Sequence, residues 1–289
     1  MKIKSTFLLI ITVVLWGSSF VFIKLGLEEI APLTLALLRF AIATPFLLIL
    51  VGLTSGFKGL LRGWKHMLIL GMTGVAAYHA FQNIGMSMTS ASESSIIIAS
   101  NPIFIAMFGR RFLKERLRPI GMAGIILAFV GVFTIVVRNG LSLGYSSTLG
   151  NLLCLGSVFS WTAYSIYGKR KLQENNANEI TAYSSLFGTI LLAPPALISE
   201  GFRLPTSYVP WISLLALGFF CSGIAYLFWY KALEGLPASE AGSYLFLIPV
   251  IASTLAYFIL GERLDSMFFF GALLVIIGVI MTTRSHHTL

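Results

Sequence analysis

Charged residues are scarce in this 289-residue chain. They make up 11% of the sequence, whereas hydrophobic residues make up 57% and the mean hydropathy is +0.88. A soluble domain carries about 25% charged residues, so the composition excludes an ordinary soluble domain and predicts an integral membrane protein. A helix of about 20 apolar residues crosses a bilayer, so a chain of this length has room for roughly ten spans and little else.

Cysteine is scarce as well. The two cysteines, Cys154 and Cys221, lie inside apolar runs, so they predict neither a disulfide framework nor a CxxC metal site. The sequence has no HExxH motif and no pair of aspartates inside an apolar run, and no recognisable motif places a histidine beside Gly17-Ser18-Ser19. We therefore expect no enzyme activity, no cofactor and no metal site.

Ten apolar runs are present, separated by turn residues. The first run follows Lys2 and Lys4, but it is long and lacks a small-residue cleavage pattern, so we expect a retained helix rather than a signal peptide. The sequence predicts an all-α integral membrane fold with ten transmembrane helices. The runs are Thr6–Gly26, Leu33–Leu53, His66–Met88, Ser94–Leu113, Ile120–Val137, Gly150–Gly168, Ile180–Ile198, Trp211–Leu233, Ala241–Leu260 and Met267–Thr283.

Basic residues are distributed unevenly among the connections. With the N-terminus in the cytoplasm, fifteen of the 20 Lys and Arg residues fall in cytoplasmic segments and four fall outside. Because cytoplasmic loops are enriched in Lys and Arg, we expect a multi-pass membrane protein with both termini in the cytoplasm. The net charge of +9 then reflects loop charge, and no nucleic-acid partner is expected.

The two halves of the sequence repeat at an offset of 147 positions. Phe81 falls on Phe228 and Pro102 on Pro249, and the glycines near the end of each half also coincide. We predict two five-helix units, residues 1–143 and 144–289. Because each unit has an odd number of helices, the second enters the membrane from the opposite side. Such inverted repeats are typical of secondary transporters, whose two halves open one central site to either side.

Four short motifs occur in a fixed order. They are Leu15-Trp16-Gly17-Ser18-Ser19-Phe20, Ala91-Ser92-Glu93 with Pro102, Ala238-Ser239-Glu240 with Pro249, and Leu260-Gly261-Glu262-Arg263-Leu264. In order, spacing and duplication they resemble the drug/metabolite transporter superfamily, specifically its ten-helix EamA branch. The resemblance covers essentially the whole chain. It implies an inner-membrane carrier with a central cavity between the repeats, usually exporting amino acids or related small metabolites, and it does not identify the substrate.

One face of the third run is the first candidate for a cavity wall. Its residues are spaced at i, i+3, i+4 and i+7, and polar side chains in a bilayer generally face the bundle interior or a wet cavity. The alternative is that they only hydrogen-bond neighbouring helices. With their repeat partners, the predicted substrate contacts are His79, Gln82, Asn83, Tyr226, Trp229 and Tyr230.

Further candidates lie on the first helix of each half and near the two prolines. Ordinary helix packing is the alternative for the first group. The predicted contacts are Trp16, Ser19, Phe20, Trp161, Tyr164, Asn101 and Tyr244. We expect Pro102 and Pro249 one third to halfway along the fourth and ninth helices, where a proline kinks a helix, and we predict a hinge role for both. A static kink is the alternative.

Arg39 is the one basic residue well inside an apolar run. It either holds a substrate carboxylate bidentately, or snorkels to the headgroups or bonds carbonyls of neighbouring helices. We favour a structural role, because the second helix of such repeats is usually peripheral in the family. Glu115 and Glu262, each followed by an arginine, are also expected to be structural residues at helix ends.

No acidic residue falls in the middle of an apolar run, since Glu93 and Glu240 are placed near helix starts, where a carboxylate complements the helix dipole. The acid relay of a proton-coupled pump is therefore missing. We expect uncoupled facilitation by alternating access, with His79 as the only candidate proton switch inside a span.

Other functions stay open at this point. A multidrug or lipid-related carrier of the same fold would share these motifs. A membrane receptor or scaffold is the alternative from another class, although it would ordinarily bring longer loops or an added domain. The expected partners are a small-molecule substrate and the lipid bilayer. An oligomer is not required, because the duplication already supplies the symmetric pair.

Overall fold

The structure, a computed structural model, describes residues 2–88, 97–137, 145–201, 204–260 and 265–285. The regular structure of these residues is helical, with no strand among them. Among these residues, seven helical segments are long and apolar enough to cross a membrane, and two of them, Tyr208–Gly235 and Ala238–Leu255, run through more than one of the helices named below. Large apolar side chains on the outside, such as Ile49 and Phe269, are 63% exposed, as expected for helices that face lipid. The prediction of a helical membrane protein is confirmed.

The helices are α1 (Lys2–Gly26), α2 (Pro32–Thr54), α3 (Lys58–Gly71), α4 (Tyr78–Met88), α5 (Asn101–Phe112), α6 (Pro119–Val137), α7 (Tyr145–Lys171), α8 (Ala177–Ser199), α9 (Tyr208–Leu215), α10 (Ala225–Gly235), α11 (Ala238–Ser243), α12 (Leu247–Leu260) and α13 (Ser266–Ser285). Two π-helical segments, Met72–Ala77 and Ala216–Ile224, join α3 to α4 and α9 to α10. A 3₁₀ turn, Tyr244–Phe246, joins α11 to α12.

Three of the ten expected spans are not among the seven. In the fourth, helix α5 has 12 residues and is about 18 Å long, against a hydrocarbon core about 30 Å thick. The third contains polar residues such as His79, Gln82 and Asn83, and the sixth, α7, is 27 residues long but rich in serine and other polar residues. The layout of ten helices in two units therefore stays a prediction.

Helices α6 and α13 pack against each other through glycines. A Cβ added at Gly124 would lie 2.6 Å from the carbonyl oxygen of Gly278, and one at Gly131 would lie 2.5 Å from that of Gly271. The two helices therefore run antiparallel with their backbones in close approach, as small residues allow between membrane helices. The two contacts exchange under the 147-residue offset, because position 124 corresponds to 271 and position 131 to 278.

The π-helical segments also occupy equivalent places. One ends just before Tyr78 and the other just before Ala225, 147 residues further along the chain. Gly74 lies in the first, and a Cβ there would lie 2.2 Å from the Tyr164 ring. Gly218 lies in the second, and a Cβ there would lie 2.7 Å from Ile42. Each segment thus lets a helix of the other half pack closely, and π-bulges are frequent at functional sites.

Carboxylates in the connections cap helix starts across the two halves. Glu200 accepts hydrogen bonds from the backbone N–H groups of Leu33 (2.9 Å) and Thr34 (2.8 Å) at the start of α2. Glu29 accepts from the backbone N–H groups of Thr206 (2.6 Å) and Ser207 (3.2 Å) just before α9. Hydrogen bonds from Ser207 and Thr206 lower the pKa of Glu29 to about 2.

Glu115 also caps a helix start, in line with the structural role expected of it. Its carboxylate accepts from the backbone N–H (2.9 Å) and the hydroxyl (2.6 Å) of Ser239 in the first turn of α11. Glu240, two residues into α11, is buried and lies 3.2 Å from the Lys2 ammonium. Its carboxylate is thus near a helix start, as predicted.

Each proline lies just after an interruption of its span. Pro102 is the second residue of α5, after a turn at residues 99–100. Pro249 is the third residue of α12, after the 3₁₀ turn Tyr244–Phe246. A proline has no backbone N–H to continue the preceding turn. The hinge role of both residues stays a prediction.

The predicted boundary between the two units, at residues 143 and 144, lies outside the described residues. Seven residues of the sequence motifs also lie outside them. They are Ala91, Ser92, Glu93, Gly261, Glu262, Arg263 and Leu264.

Candidate functional site

A cavity of about 280 Å³ lies between helices of the first and second halves of the chain. Both polar and aromatic groups face it. The lining residues are Trp16, Ser19, Phe20, Ile23, Arg39, Tyr78, His79, Gln82, Ile98, Ala99, Asn101, Ile135, Val136, Trp161, Tyr226, Leu245, Ile248, Pro249, Ala252 and Ser253.

The cavity brings together many of the residues that the sequence singled out. Those that line it are Trp16, Ser19, Phe20, His79, Gln82, Asn101, Trp161, Tyr226 and Pro249. Those that do not line it are Asn83, Tyr164, Trp229, Tyr230, Tyr244 and Pro102. Contact with a substrate stays a prediction for all of them.

His79 and Tyr226, which are repeat partners, meet at the centre of the site. Their Nε2 and Oη atoms are 3.2 Å apart, and the Tyr226 hydroxyl donates to the carbonyl oxygen of Gly74 at 3.2 Å. Because the hydroxyl has one proton, Tyr226 accepts from His79, which places the imidazole proton on Nε2. The ring of Phe40 packs against both residues, with centroid distances of 5.1 and 5.4 Å.

Three aromatic rings form one wall of the cavity. The Trp16 and Trp161 centroids are 5.1 Å apart, and Tyr226 lies 5.7 and 5.6 Å from them. The Trp16 indole donates to the backbone oxygen of Cys221 at 3.1 Å. Trp229 packs behind this wall, 5.7 Å from Trp16 and 5.8 Å from Trp161, and is fully buried. Of Tyr226, Trp229 and Tyr230, the aromatic residues of the predicted stripe, Tyr226 lines the cavity and Trp229 lies in a second layer.

Tyr164 and Tyr230 lie further from the cavity, between α7 and α10. The Tyr230 hydroxyl donates to the backbone oxygen of Tyr164 at 3.0 Å, and both side chains are fully buried. Further along α7, the Lys169 ammonium donates to the backbone oxygens of Leu233 and Leu236, the latter at 2.9 Å. These bonds hold α7 against α10. By contrast Ser19, which aligns with Tyr164 at an offset of 145, and Asn83, which aligns with Tyr230 at 147, bond to the backbone oxygens of Trp16 and Pro32 and not to each other.

The direction of the helices explains which predicted residues reach the cavity. We call the end of the bundle near Gly26 the cavity end and the end near Lys2 the closed end. Beyond Trp16, α1 runs toward the cavity end, whereas beyond Trp161, α7 runs toward Lys171, beside α10 and the closed end. Ser19 and Phe20 therefore line the cavity, while Tyr164 is buried among other side chains. In the same way Gln82, which follows His79, lines the cavity, whereas Trp229, which follows Tyr226, is fully buried.

Arg39 lines the cavity, although the sequence favoured a structural role for it. Its side chain is 5% exposed and donates from Nε to the Ser222 hydroxyl at 2.7 Å. It therefore does not snorkel to a headgroup. The available signal was its charge, because an ionisable residue inside a span is a functional-site hypothesis by default.

Other lining residues also escaped the sequence analysis. Tyr78 lies four residues before Gln82, so it shares the predicted stripe and could have been included. The remainder are apolar or small residues at helix ends, for which the sequence has no distinguishing signal. They are Ile23, Ile98, Ala99, Ile135, Val136, Leu245, Ile248, Ala252 and Ser253.

Known proteins of similar sequence extend over nearly the whole chain. An uncharacterized transporter of Archaeoglobus fulgidus is 35% identical over 291 aligned residues, which cover 99% of this chain and all of that protein. A protein of Streptantibioticus cattleyicolor named as a probable terminal-alkyne amino-acid exporter is 28% identical, over 97% of this chain and 94% of its own length.

The fold and the family are both found elsewhere. A crystal structure that is 21% identical in sequence superimposes with a TM-score of 0.86 over 98% of each chain, so the two chains share a fold. The model of the EamA-like transporter family matches residues 3–137 and again residues 148–284. Together these two matches span most of the sequence, and the chain belongs to the EamA-like transporter family.

Proposed function

We propose that this transporter carries a small metabolite, most simply an amino acid or a related compound, through the central cavity by alternating access between two inverted five-helix units. The observation that carries the proposal is the cavity itself. It lies between the halves, its walls hold a few polar groups among apolar and aromatic ones, as in ligand sites generally, and the bonds around Tyr230 and Lys169 fasten the opposite end.

Four observations support the two-unit layout. The family model matches twice, and the glycine contacts between α6 and α13 exchange under the 147-residue offset. The π-helical segments end at equivalent positions, and His79 bonds its own repeat partner. An inverted pair of units can rock about such a centre and expose the same site to either side.

The distribution of basic residues supports an orientation. With both termini in the cytoplasm of the inner membrane, Lys2 and Lys169 lie at the cytoplasmic end of the bundle. The cavity is then the outward-facing one, and the bonds of α7 to α10 close the cytoplasmic side. Opening that side requires Tyr230 to leave Tyr164 and Lys169 to leave the two leucine carbonyls.

The size of the cavity and one relative support the substrate class. A volume of about 280 Å³ is at the lower limit of ligand pockets, which are about 300–1,000 Å³, and it suits a metabolite better than a drug. The Streptantibioticus relative is named for amino-acid export. Uncoupled facilitation follows from the sequence, in which no acidic residue lies at mid-membrane.

Counterflow in liposomes tests the carrier and its substrate class together. Purified protein is reconstituted into vesicles loaded with one unlabelled solute, and uptake of the same labelled solute is followed for amino acids, nucleobases and cationic drugs. We expect transient accumulation of at least one amino acid. Ser253→Trp, which fills the cavity, is expected to abolish it, and Ser199→Trp, at an exposed site, is the matched control.

The outcomes separate the parts of the proposal. Movement of only drugs or lipids keeps the carrier and rejects the substrate class. No movement of any probe by folded protein rejects the carrier and favours a receptor or scaffold. If an imposed pH gradient drives uphill accumulation, and His79→Gln abolishes it, the uncoupled mechanism is wrong.

A further inference from the structure

Arg39 is a buried cation for which the described residues provide no counter-ion. Its side chain is 5% exposed and lines the central cavity. Among the described residues no carboxylate lies within ion-pair distance of its guanidinium, and none of the cavity-lining residues is Asp or Glu. Burying a charge without a partner is unfavourable, so within the described part of the chain the guanidinium calls for an anion.

Most of the guanidinium is still available for bonding. Nε is held by the Ser222 hydroxyl at 2.7 Å, and within the described part of the chain the Nη groups have no hydrogen-bond partner. The Phe40 ring centroid is 5.7 Å from Cζ, which offsets only part of the desolvation. Ser222 therefore fixes the orientation of the guanidinium group and leaves its two Nη groups available to bind an anion. A carboxylate matches that edge with two parallel N–H···O bonds.

Asn101 provides a second unsatisfied group in the same cavity. Its side chain is 4% exposed, and Nδ2 donates to the backbone oxygen of Ile98 at 2.9 Å. This bond fixes which way the amide points. The Oδ1 atom is buried and accepts no hydrogen bond. A buried acceptor left unpaired is unfavourable, so Oδ1 is suited to a donor carried in by the substrate.

We infer that Arg39 binds the carboxylate of the transported molecule and that Asn101 Oδ1 accepts a hydrogen bond from its ammonium group, so that the cavity selects small zwitterions. The inference rests on the proposed carrier function and adds a charge rule to it. Organic cations are disfavoured because Arg39 repels them and no carboxylate among the described lining residues attracts them. The aromatic wall of Trp16, Trp161 and Tyr226 then contacts the substrate side chain.

Three matched probes test the rule on the wild-type protein. They are L-leucine, 4-methylpentanoate, which lacks the ammonium group, and 3-methylbutylamine, which lacks the carboxylate. Binding to purified protein is measured by calorimetry, and counterflow is measured in liposomes. We expect leucine to bind most tightly, 4-methylpentanoate to bind more weakly, and 3-methylbutylamine not to bind. Equal or tighter binding of the amine would overturn the inference while leaving a carrier in place.

Variants identify the residues. Arg39→Gln is expected to lower the affinity for leucine and for 4-methylpentanoate about 10- to 100-fold, as the loss of a charged hydrogen-bonded pair does, and Arg39→Lys is expected to restore part of it. Asn101→Ala is expected to weaken the binding of leucine but not the binding of 4-methylpentanoate. Ser222→Ala, which keeps the charge, is the control with a smaller loss.

The remaining outcomes are also decisive. Unchanged leucine affinity in folded Arg39→Gln would overturn the role of Arg39. If Arg39→Gln does not fold, the three probes on the wild-type protein still decide the charge rule. If wild-type protein binds and moves none of the three probes but moves a nucleobase or a drug, the charge rule fails while the carrier stands, and if it moves nothing, both fail.

Discussion

Gln82 and Trp229 occupy equivalent positions 147 residues apart, yet Gln82 lines the cavity and Trp229 is fully buried behind the aromatic wall. Ser253 and Ala106 form a second such pair, with Ser253 in the cavity and Ala106 buried. The comparison teaches that equivalence in the repeat does not mean equivalence of environment. In the proposed inverted arrangement, positions away from the central pair His79 and Tyr226 differ in this way, with one copy facing the cavity end and the other packed in the closed end.

The largest expected contrast is in stability. Trp229→Ala removes a fully buried indole and is expected to cost about 3–5 kcal/mol of folding free energy, as large-to-small substitutions in packed interiors do. Gln82→Ala removes a side chain that faces the cavity, so its cost is expected to be below about 1 kcal/mol. Thermal unfolding in detergent measures both. Equal destabilisation would break the comparison, because it would mean that both positions are packed alike.

Glycine substitutions sharpen the comparison, because Gly124 and Gly271 are equivalent positions with the same kind of close contact. Gly124→Val and Gly271→Val each force a side chain into the same kind of α6–α13 contact, where an added Cβ meets a carbonyl oxygen at 2.6 Å. Overpacking costs about 1–3 kcal/mol, and we expect the two variants to lose the same amount. Gly63→Val, where an added Cβ would meet the nearest atoms only at 3.9 Å, controls for added bulk in a helix. A large difference between the first two would argue against the exchange of contacts.

A third substitution shifts the balance between the two ends. Lys169→Met removes the ammonium that bonds the carbonyls of Leu233 and Leu236. A hydrogen bond from a charged group contributes about 1.5–3 kcal/mol, so we expect the closed end to open about tenfold more often. Labelling of a cysteine at the closed end in inside-out vesicles measures this change. Arg170→Gln, at the neighbouring exposed residue, should leave the labelling unchanged.

The smallest effect is expected at Glu29, at the cavity end. Its pKa is lowered from 4.5 to about 2 by hydrogen bonds from Ser207 and Thr206, so the carboxylate stabilises the fold above pH 4.5, and this contribution disappears as the pH falls toward 2. Glu29→Gln is expected to lower the thermal midpoint slightly at pH 6. The difference from wild type should vanish near pH 2, and a difference that grows with acidification would contradict this sign.

Much of the architecture could be predicted from the sequence. Hydropathy predicts helical membrane spans, because only closed backbone hydrogen bonding survives in lipid. Helical spacing places His79, Gln82 and Tyr226 on inward faces, and all three line the cavity. These properties are local or periodic, so a single sequence carries them.

Other features could not be read in the same way. The burial of Trp229 and Tyr230 depends on how α10 packs against α1 and α7, and that packing is not encoded in the residue pattern of one helix. The positions of Pro102 and Pro249 in first turns depend on where the preceding helix stops. The placement of Arg39 beside Ser222 depends on contact between α2 and a π-helical segment 183 residues away, which no local pattern encodes.

Cysteine labelling of Ser253→Cys and Ala106→Cys tests the central claim most directly. Whole cells are treated with a membrane-impermeant maleimide, and wild-type protein, whose Cys154 and Cys221 are buried, provides the background. The account predicts that Ser253→Cys is labelled from outside and is protected by the transported substrate. It predicts that Ala106→Cys is not labelled from outside but becomes labelled from the cytoplasmic side of inside-out vesicles during transport. Simultaneous labelling of both positions from one side, or labelling of Ser253→Cys that substrate does not affect, would contradict the account.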